Sequence, residues 1–435
     1  MIRKIQTVKI NFPGGLITVE ELKFILAAAE KARIEEVKFG TRQQMYLFIQ
    51  DNFLEDFILE IQRFKKVVEV NEELYPNIIS SIVTQAIFEN TGWITEKIYR
   101  EILASMDFTP TLKINIVDSD QSFIPFFTGN INFITSEIRD CWFLFIRFPK
   151  TSITYKWKEL VSSKDCSRIA KLVEKVILQN KTLFYEQPVI DGNILYDKVQ
   201  EGEDLPHKIV EHELVISDFR LPYYEGFNQY GIKLWLGIYR RDEWFPLSFL
   251  KDLCQVCLQT RIGHVFTTPW KSIIFKDINV KSRSLWENVL GKYRINVRHA
   301  SNELNWQVAD LCEEGLHLKR YLIRQFDKDD VRTFGLCFAI LIHVKSGLFG
   351  SVVIHKQPNN SANQRKSLDR YDILYTNKFN PNSEEYIEYR KDVLKEHLGT
   401  YLVSLCKFFY EEQINQDDSA PFEIPQHRLG QEVEK

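Results

Sequence analysis

The sequence predicts an α+β fold made of two pseudo-symmetric repeats, each a small half-domain followed by a larger α/β domain. Residues 22–47 align without gaps with residues 250–275, which lie 228 positions later, and five of the aligned residues are identical. Both copies show the same order of predicted elements, and further strands follow each copy. The repeat predicts the architecture more strongly than short motifs do, because internal self-similarity fixes the architecture of a chain.

The first copy reads as strand, helix, strand and strand. Val8–Phe12 alternates polar and apolar residues as strands do, and the turn Pro13-Gly14-Gly15 closes it. Thr18 and Glu21 form a capping box, after which apolar residues recur at helical spacing. Two strands are predicted on either side of Gly40, followed by an amphipathic segment over 53–64. This order is typical of half of a ferredoxin-like fold.

The second copy repeats this order with a strand at 232–237 and an amphipathic segment at 285–290. After each copy come two predicted strands, at 112–117 and 142–148 in the first repeat and at 338–344 and 371–375 in the second. The duplication therefore covers nearly the whole chain. We predict six segments: half-domains at 1–70 and 213–295, α/β domains at 71–190 and 296–412, a linker at 191–212, and a tail or linker at 413–435.

The composition is that of an ordinary globular protein. Hydrophobic residues make up 44% and charged residues 26% of the 435 residues, and the formal net charge is −3. This balance removes the general electrostatic argument for a partner such as nucleic acid or a membrane surface. No run approaches the roughly 18 apolar residues of a spanning helix. Seven scattered cysteines are typical of a reducing compartment, so we predict a cytoplasmic protein.

Short motifs at equivalent positions of the two copies point to a family. The Gly14-Gly15 turn, the strand end Gly40-Thr41-Arg42-Gln43 and the second-copy Thr268-Pro269-Trp270 resemble motifs of the assimilatory sulfite and nitrite reductases. The resemblance covers about residues 8–412. It implies that each repeat is a ferredoxin-like half-domain followed by a nitrite/sulfite-reductase-type α/β domain, with a sirohaem between the halves.

The resemblance also implies a four-iron cluster held by four cysteines, and here the sequence departs from the family. The four positions fall on Ser301, Gln307, Cys337 and Leu341, and an alternative placement of the second pair gives Leu348 and Val352. Such a cluster needs thiolate ligands. We therefore expect no 4Fe-4S cluster and no other bound metal, and sirohaem remains as the candidate cofactor.

The resemblance suggests four cofactor-binding or anion-binding residues: Arg42, Lys113, Trp270 and Lys271. Arg42 matches an arginine that faces the sirohaem and the substrate, and Lys113 matches an active-site lysine. A second family arginine is replaced by Pro76. Each assignment has a structural alternative, since Arg42 and Lys113 could be solvated surface cations, and Trp270 could pack the half-domain interface. No catalytic residue is assigned.

Other candidates are interpreted as structural. Cys254 and Cys257 share a helical stripe with apolar residues, and Cys337 lies in an apolar run, so all three are predicted to be core residues. His299 has no obvious mate for proton transfer, and we expect a hydrogen-bonded structural histidine.

Three hypotheses follow for the function. The first is an accessory or electron-transfer component of assimilatory nitrite or sulfite reduction that binds a tetrapyrrole, a redox partner of the rubredoxin or ferredoxin type, or a small anion such as nitrite or sulfite. The second is an active sirohaem-dependent oxidoreductase. The third is a cofactor-free scaffold that uses the vacated cleft to bind proteins.

Overall fold

The computed structural model describes residues 4–64, 66–88, 92–201, 208–343, 349–358, 369–383 and 385–419. The first repeat begins with these elements: β1 Ile5–Ile10, β2 Leu16–Thr18, α1 Val19–Lys31, β3 Glu36–Phe39, β4 Met45–Gln50, α2 Asp51–Gln62 and β5 Val68–Val70. It continues with β6 Ile79–Ser80, α3 Glu96–Ser105, β7 Ile114–Val117, β8 Ile131–Thr135, β9 Cys141–Arg147, β10 Thr154–Lys156, β11 Val161–Ser162, α4 Cys166–Gln179, α5 Lys181–Phe184 and α6 Gly192–Gln200.

The second repeat has the same plan. Its half-domain consists of β12 Gly226–Tyr230, β13 Lys233–Ile238, β14 Phe245–Pro246, α7 Leu247–Thr260, β15 His264–Thr267, β16 Ile273–Asn279 and α8 Arg283–Lys292. The α/β part consists of α9 Ser301–Leu304, β17 Trp306–Val308, α10 Glu313–Lys328, β18 Phe338–Leu341, β19 Val352–Lys356, β20 Arg370–Thr376, β21 Tyr386–Leu394 and α11 Lys395–Ser419. The predicted α+β fold with two repeats is confirmed.

The two half-domain sheets exchange strands. Their strand orders are β14-β3-β4-β1-β5 and β12-β13-β16-β15-β2, so β14 of the second repeat completes the first sheet and β2 of the first repeat completes the second. The backbone bonds beside the exchanged strands match across the repeat: Val19 N donates to Gly263 O at 3.0 Å, and Leu247 N donates to Glu35 O at 2.7 Å. The half-domains therefore cannot separate without breaking both sheets.

The helices α1 and α7 pack against each other in one apolar core that both half-domains share. The predicted capping box begins α1, where Thr18 Oγ1 accepts a bond from Glu21 N at 3.1 Å. Each buried apolar side chain in such a core contributes roughly 1.5–3 kcal/mol to stability. Exchanged strands and a shared core together hold the two repeats in a fixed relation.

The sheets of the larger α/β domains also match. One has the order β10-β9-β8-β7-β6, with β11 paired to β9, and the other has the order β17-β18-β19-β20-β21. In each, the first three strands in sequence are parallel, and the later strands join antiparallel. In the first repeat, the amino-terminal ends of β6 and β7 meet the turn that carries Arg42, which bonds Asn77 O and Ile114 O.

Two segments differ in detail from their sequence interpretation. The predicted linker 191–212 contains α6, because Leu195 and Val199 supply a buried apolar face that packs against α4. The predicted tail begins inside α11, which extends to Ser419, and residues 420–435 lie outside the described residues. The predicted domain boundaries remain predictions.

Among the described helices, none is both long and apolar enough to cross a membrane.

We expect Gly15→Ala to lower the free energy of unfolding by about 1–3 kcal/mol. Gly15 has a φ of +72°, and a Cβ there would lie 2.6 Å from the Gln43 side chain and 2.8 Å from the backbone oxygen of Thr267 in the other repeat. Urea denaturation gives the measurement. Gly263→Ala is the control, since its Cβ would meet nothing within 4 Å. Equal destabilisation by both variants would contradict the close approach of the repeats at Gly15.

Candidate functional site

A cavity of about 740 Å³ lies where the first half-domain, the first α/β domain and the loop after β17 meet. This volume is within the range of about 300–1,000 Å³ that is usual for ligand sites. The lining is polar and basic. The residues are Lys9, Thr41, Arg42, Gln44, Tyr46, Glu73, Pro76, Asn77, Ile79, Thr111, Leu112, Lys113, Pro125, Thr128, Asn130, Arg147, Pro149, Lys150, Thr151, Ser152, Tyr185, Gln307, Ala309 and Asp310.

A tight turn between β3 and β4 positions Arg42. Gly40 N donates to Gln44 O at 2.8 Å, and Gln43 takes a φ of 64°. The side chain of Gln43 then bonds Thr267 O of the other repeat at 3.0 Å. The turn is thus fixed from both repeats, which gives Arg42 one orientation at the cavity wall.

The guanidinium of Arg42 is buried and held by backbone carbonyls. Nε and Nη2 donate to Asn77 O at 3.0 and 2.8 Å, and Nη2 also donates to Ile114 O at 2.9 Å. Burial, and then the charge of Arg147, lowers the pKa of Arg42 to about 9, while Asp310 opposes the shift. Arg42 is therefore a cation at neutral pH that stabilises the cavity wall.

Lys113 precedes β7 and is the second family-like cation at the cavity. Its backbone N donates to Asn130 Oδ1 at 3.1 Å, and no hydrogen bond or ion pair of its ammonium group is found among the described residues. Burial, and then the charges of Arg42 and Arg147, lowers the pKa of Lys113 to about 8, with Glu73 and Asp310 acting in the opposite direction. Lys113 is therefore the lining cation with charge available for a ligand.

The other cations of the cavity have protein partners. Arg147 donates to Thr128 O at 2.9 Å. Lys150 pairs with Glu186 at 3.1 Å, and Lys9 pairs with Glu69 at 2.7 Å. Their charges add to an electropositive cavity in a chain of net charge −3. Such a pocket favours an anionic ligand, because arginine and lysine side chains bind carboxylates and oxyanions through charge-assisted hydrogen bonds.

Asp310, in the loop after β17, ties the second repeat to the turn that carries Arg42. Its carboxylate accepts bonds from Thr41 N at 2.9 Å and from Gln44 Nε2 at 2.9 Å, and it lies 3.6 Å from Lys271 Nζ. Burial raises the pKa of Asp310, and the nearby Lys271 opposes this. Asp310 thus forms part of one wall of the cavity. It was not predicted from the sequence.

Lys271 occupies the position of Gln43 in the second repeat and also takes a positive φ, of 55°. Its ammonium group is buried and lies 2.9 Å from both carboxylate oxygens of Glu243. Burial alone would lower the pKa of Lys271, but the charges of Glu243 and Asp310 raise it. Lys271 does not line the cavity and contacts its wall through Asp310 and through Ala309 O, which lies 3.5 Å from Nζ.

Trp270 stands where Arg42 stands in the first repeat, and it does not line the cavity. The indole is buried, donates to Phe123 O at 2.8 Å and packs against the rings of Phe123 and Tyr224. The described structure therefore brings Arg42 and Lys113 together at the cavity and places Trp270 in the aromatic core between the repeats.

The four positions that the resemblance assigns to cluster cysteines contain one thiol, that of Cys337. Gln307 lines the cavity, and Ser301 and Leu341 also lack a thiol. Cys337 is buried beside Ser351, and burial raises its pKa to about 12. Leu348 of the alternative placement lies outside the described residues. No group of three or more His, Cys, Asp or Glu side chains in the described part of the chain is arranged to hold a metal ion.

The described lining of the cavity matches the carboxylates of a tetrapyrrole better than it matches an iron atom. The basic lining suits a ligand with several carboxylates. Iron in haem proteins is held by histidine, cysteine, methionine or tyrosine. Histidine, cysteine and methionine are absent from the described lining, and the tyrosines are Tyr46 and Tyr185.

The remaining candidates are structural, as predicted. Cys254 and Cys257 are buried in α7, and burial raises the pKa of Cys254 to about 12. His299 Nδ1 lies 2.7 Å from Glu225 Oε1, and its backbone N donates to the same carboxylate. Arg147, which ends β9 and lines the cavity, was not predicted from the sequence.

The fold is similar to that of the NirA protein of Mycobacterium tuberculosis. The match covers 95% of this chain and 84% of NirA, with a TM-score of 0.69 and 11% sequence identity. At this identity the likeness shows the fold alone, so the chain has the fold of the NirA protein. No family model and no curated protein matches the sequence.

We expect Lys271→Met to lower the free energy of unfolding by about 3–5 kcal/mol, because it leaves the carboxylate of Glu243 buried without its cation. Adding Glu243→Gln to this variant removes the unpaired charge and restores part of the loss. Guanidinium denaturation gives the measurement.

The matched control is Lys251→Met, which breaks a more exposed pair with Glu30 and costs less than about 1 kcal/mol. If the two single variants lost the same stability, Lys271 would not be the counter-ion on which the buried carboxylates depend.

Proposed function

We propose that this chain is a nitrite/sulfite-reductase-like protein that has lost the cluster ligands and binds an anionic tetrapyrrole as an accessory component of nitrite or sulfite assimilation. One observation carries the proposal: a polar cavity of about 740 Å³ is surrounded by cations, and one of them, Lys113, has no described protein partner. Perturbed titratable groups in a cleft are typical of ligand sites.

The charge arrangement supports a ligand with several carboxylates. Burial, and then the charges of Arg42 and Arg147, disfavour the charged form of Lys113. Like charges that converge in a partly desolvated cavity reduce stability unless an anion offsets them. A macrocycle with peripheral carboxylates could contact Lys113 and Arg147 at once, while a small anion such as nitrite or sulfite would engage fewer of the cations.

The accessory role rests on the fold and on the departures from the family motif. A six-electron reduction needs an electron path to the haem, and the four ligand positions contain one cysteine, Cys337, which is buried beside Ser351. The active-reductase alternative is therefore less well supported. A redox partner of the rubredoxin or ferredoxin type belongs to the same proposal and is supported by the resemblance alone.

The scaffold alternative receives less support from the packing. A protein that no longer binds a cofactor is expected to refill an apolar cavity, since interiors pack densely. In the second repeat, aromatic side chains do occupy the space around Trp270, but in the first repeat the cavity beside Arg42 remains open and polar. An open, basic cavity is more typical of a ligand-binding site than of a cofactor-free scaffold that binds proteins.

We expect Lys113→Gln to weaken the binding of uroporphyrin, a tetrapyrrole with eight carboxylates, by about tenfold. The variant removes one charge-assisted contact and leaves the carbonyl contacts of Arg42 in place. Porphyrin fluorescence during titration of the full chain measures the Kd. Lys97→Gln is the matched control, since Lys97 is exposed on α3 and does not line the cavity. Equal affinity of the two variants, or no saturable binding by the wild type, would refute the proposal.

We also expect the affinity of the wild type to fall as the pH rises through the pKa of Lys113, which is about 8. The protonated amine attracts the carboxylates and the neutral amine does not, so with a tenfold difference in affinity between the two forms Kd rises by about fivefold between pH 7 and pH 9. Lys113→Arg keeps its charge over this range and should show a much smaller change. The same titration at several pH values tests this, and an identical pH profile for both proteins would show that Lys113 does not bind the anion.

A further inference from the structure

We propose that the cavity holds its tetrapyrrole through the carboxylates and supplies no protein ligand to a central metal. This inference rests on the proposed function and specifies how the ligand is held. It follows from the donor atoms of the lining. In the described part of the chain these are oxygens of Tyr, Thr, Ser, Asp, Glu, Asn and Gln, and nitrogens of Lys, Arg, Asn and Gln.

Tyr46 is the more buried of the two tyrosines in the lining, and its hydroxyl is already used. It donates to Glu73 Oε1 at 2.8 Å, accepts from Gln44 Nε2 at 2.9 Å and lies 3.4 Å from Asp310 Oδ2. Burial, and then the charges of Asp310 and Glu73, raises the pKa of Tyr46 far above its ordinary value. A phenolate that could bind iron is therefore strongly disfavoured at this position.

The carboxylate of Asp310 already has hydrogen-bond partners, as the hydroxyl of Tyr46 does. Thr41 and Gln44 donate to it, and Lys271 lies 3.6 Å away. Moving Asp310 toward an iron atom would remove the partners of the turn that carries Arg42. Asp310 is thus a wall residue whose hydrogen bonds are internal.

The ammonium group of Lys113 has no protein partner among the described residues, and its protonation state decides what it binds. Its amine is mainly protonated at pH 7, since its pKa is about 8. An ammonium group has three hydrogen-bond donors and no lone pair. At neutral pH it therefore binds a carboxylate of the macrocycle and not a metal at its centre.

Tyr185 is the remaining phenol of the lining. Its ring lies against the ammonium groups of Lys150 and Lys181, whose nitrogens are 5.5 and 5.8 Å from the ring centroid. These contacts hold the ring among surface lysines beside Pro149. Because Tyr185 is the one phenol outside the Asp310 network, its Phe variant is included in the test.

The experiment compares uroporphyrin with its iron(III) complex at pH 7, using wild type, Lys113→Gln, Tyr185→Phe and the control Lys97→Gln. We expect one ligand per chain, Kd values for the two forms within about fivefold, and the same fold-loss for both forms in Lys113→Gln. The absorption spectrum of the bound iron complex should show no new protein ligand.

Binding of the iron complex more than about fivefold tighter, with a spectral shift that Tyr185→Phe or Lys113→Gln abolishes, would show a protein ligand to the metal and overturn the inference, while leaving the proposed function intact. A loss in Lys113→Gln that is confined to the iron complex would overturn it equally. Binding of neither form would refute the proposed function itself, so the two failures are distinguishable.

Discussion

The exchange of β2 and β14 between the half-domain sheets is the constraint on which the rest of the structure depends. Each of these strands has three residues or fewer, yet each completes the sheet of the other repeat. Because the strands pair with β15 and β3, the turns that follow those strands are held against the opposite repeat. The cavity is built on this arrangement, since one of its walls is the turn of the first repeat and another is the Asp310 loop of the second.

The same turn occurs in both repeats, but its side chains lie in different surroundings. In the first repeat it carries Arg42 and Gln43, and in the second it carries Trp270 and Lys271. The backbone bonds of the two turns correspond, with Thr268 N donating to Ser272 O at 3.0 Å where Gly40 N donates to Gln44 O. A charged residue therefore faces an open polar cavity in one copy, and an aromatic residue fills the core in the other. Side-chain chemistry, not backbone geometry, distinguishes the two.

The repeat, the capped helices and most strands could be predicted from the sequence, because each rests on local signals such as the capping box at Thr18 or the alternation before Gly14. The exchanged strands could not, since Leu16–Thr18 and Phe245–Pro246 are too short to show a period. At the candidate site, motif positions identified Arg42. Asp310 gave no signal, because a single acidic residue in a loop gains its role only from residues far away in the chain, such as Thr41.

Lys113 is the feature of the cavity that most favours a bound ligand. A polar cavity can hold water and persist without selection for binding, so openness alone is a weak argument. A partly buried ammonium beside two arginines is different, because burial and like charges both act against it. A residue such as methionine at this position would avoid that cost. Features that reduce stability without an evident structural gain are typical of functional sites, and an anion that contacts Lys113 and Arg147 would remove the cost when it binds.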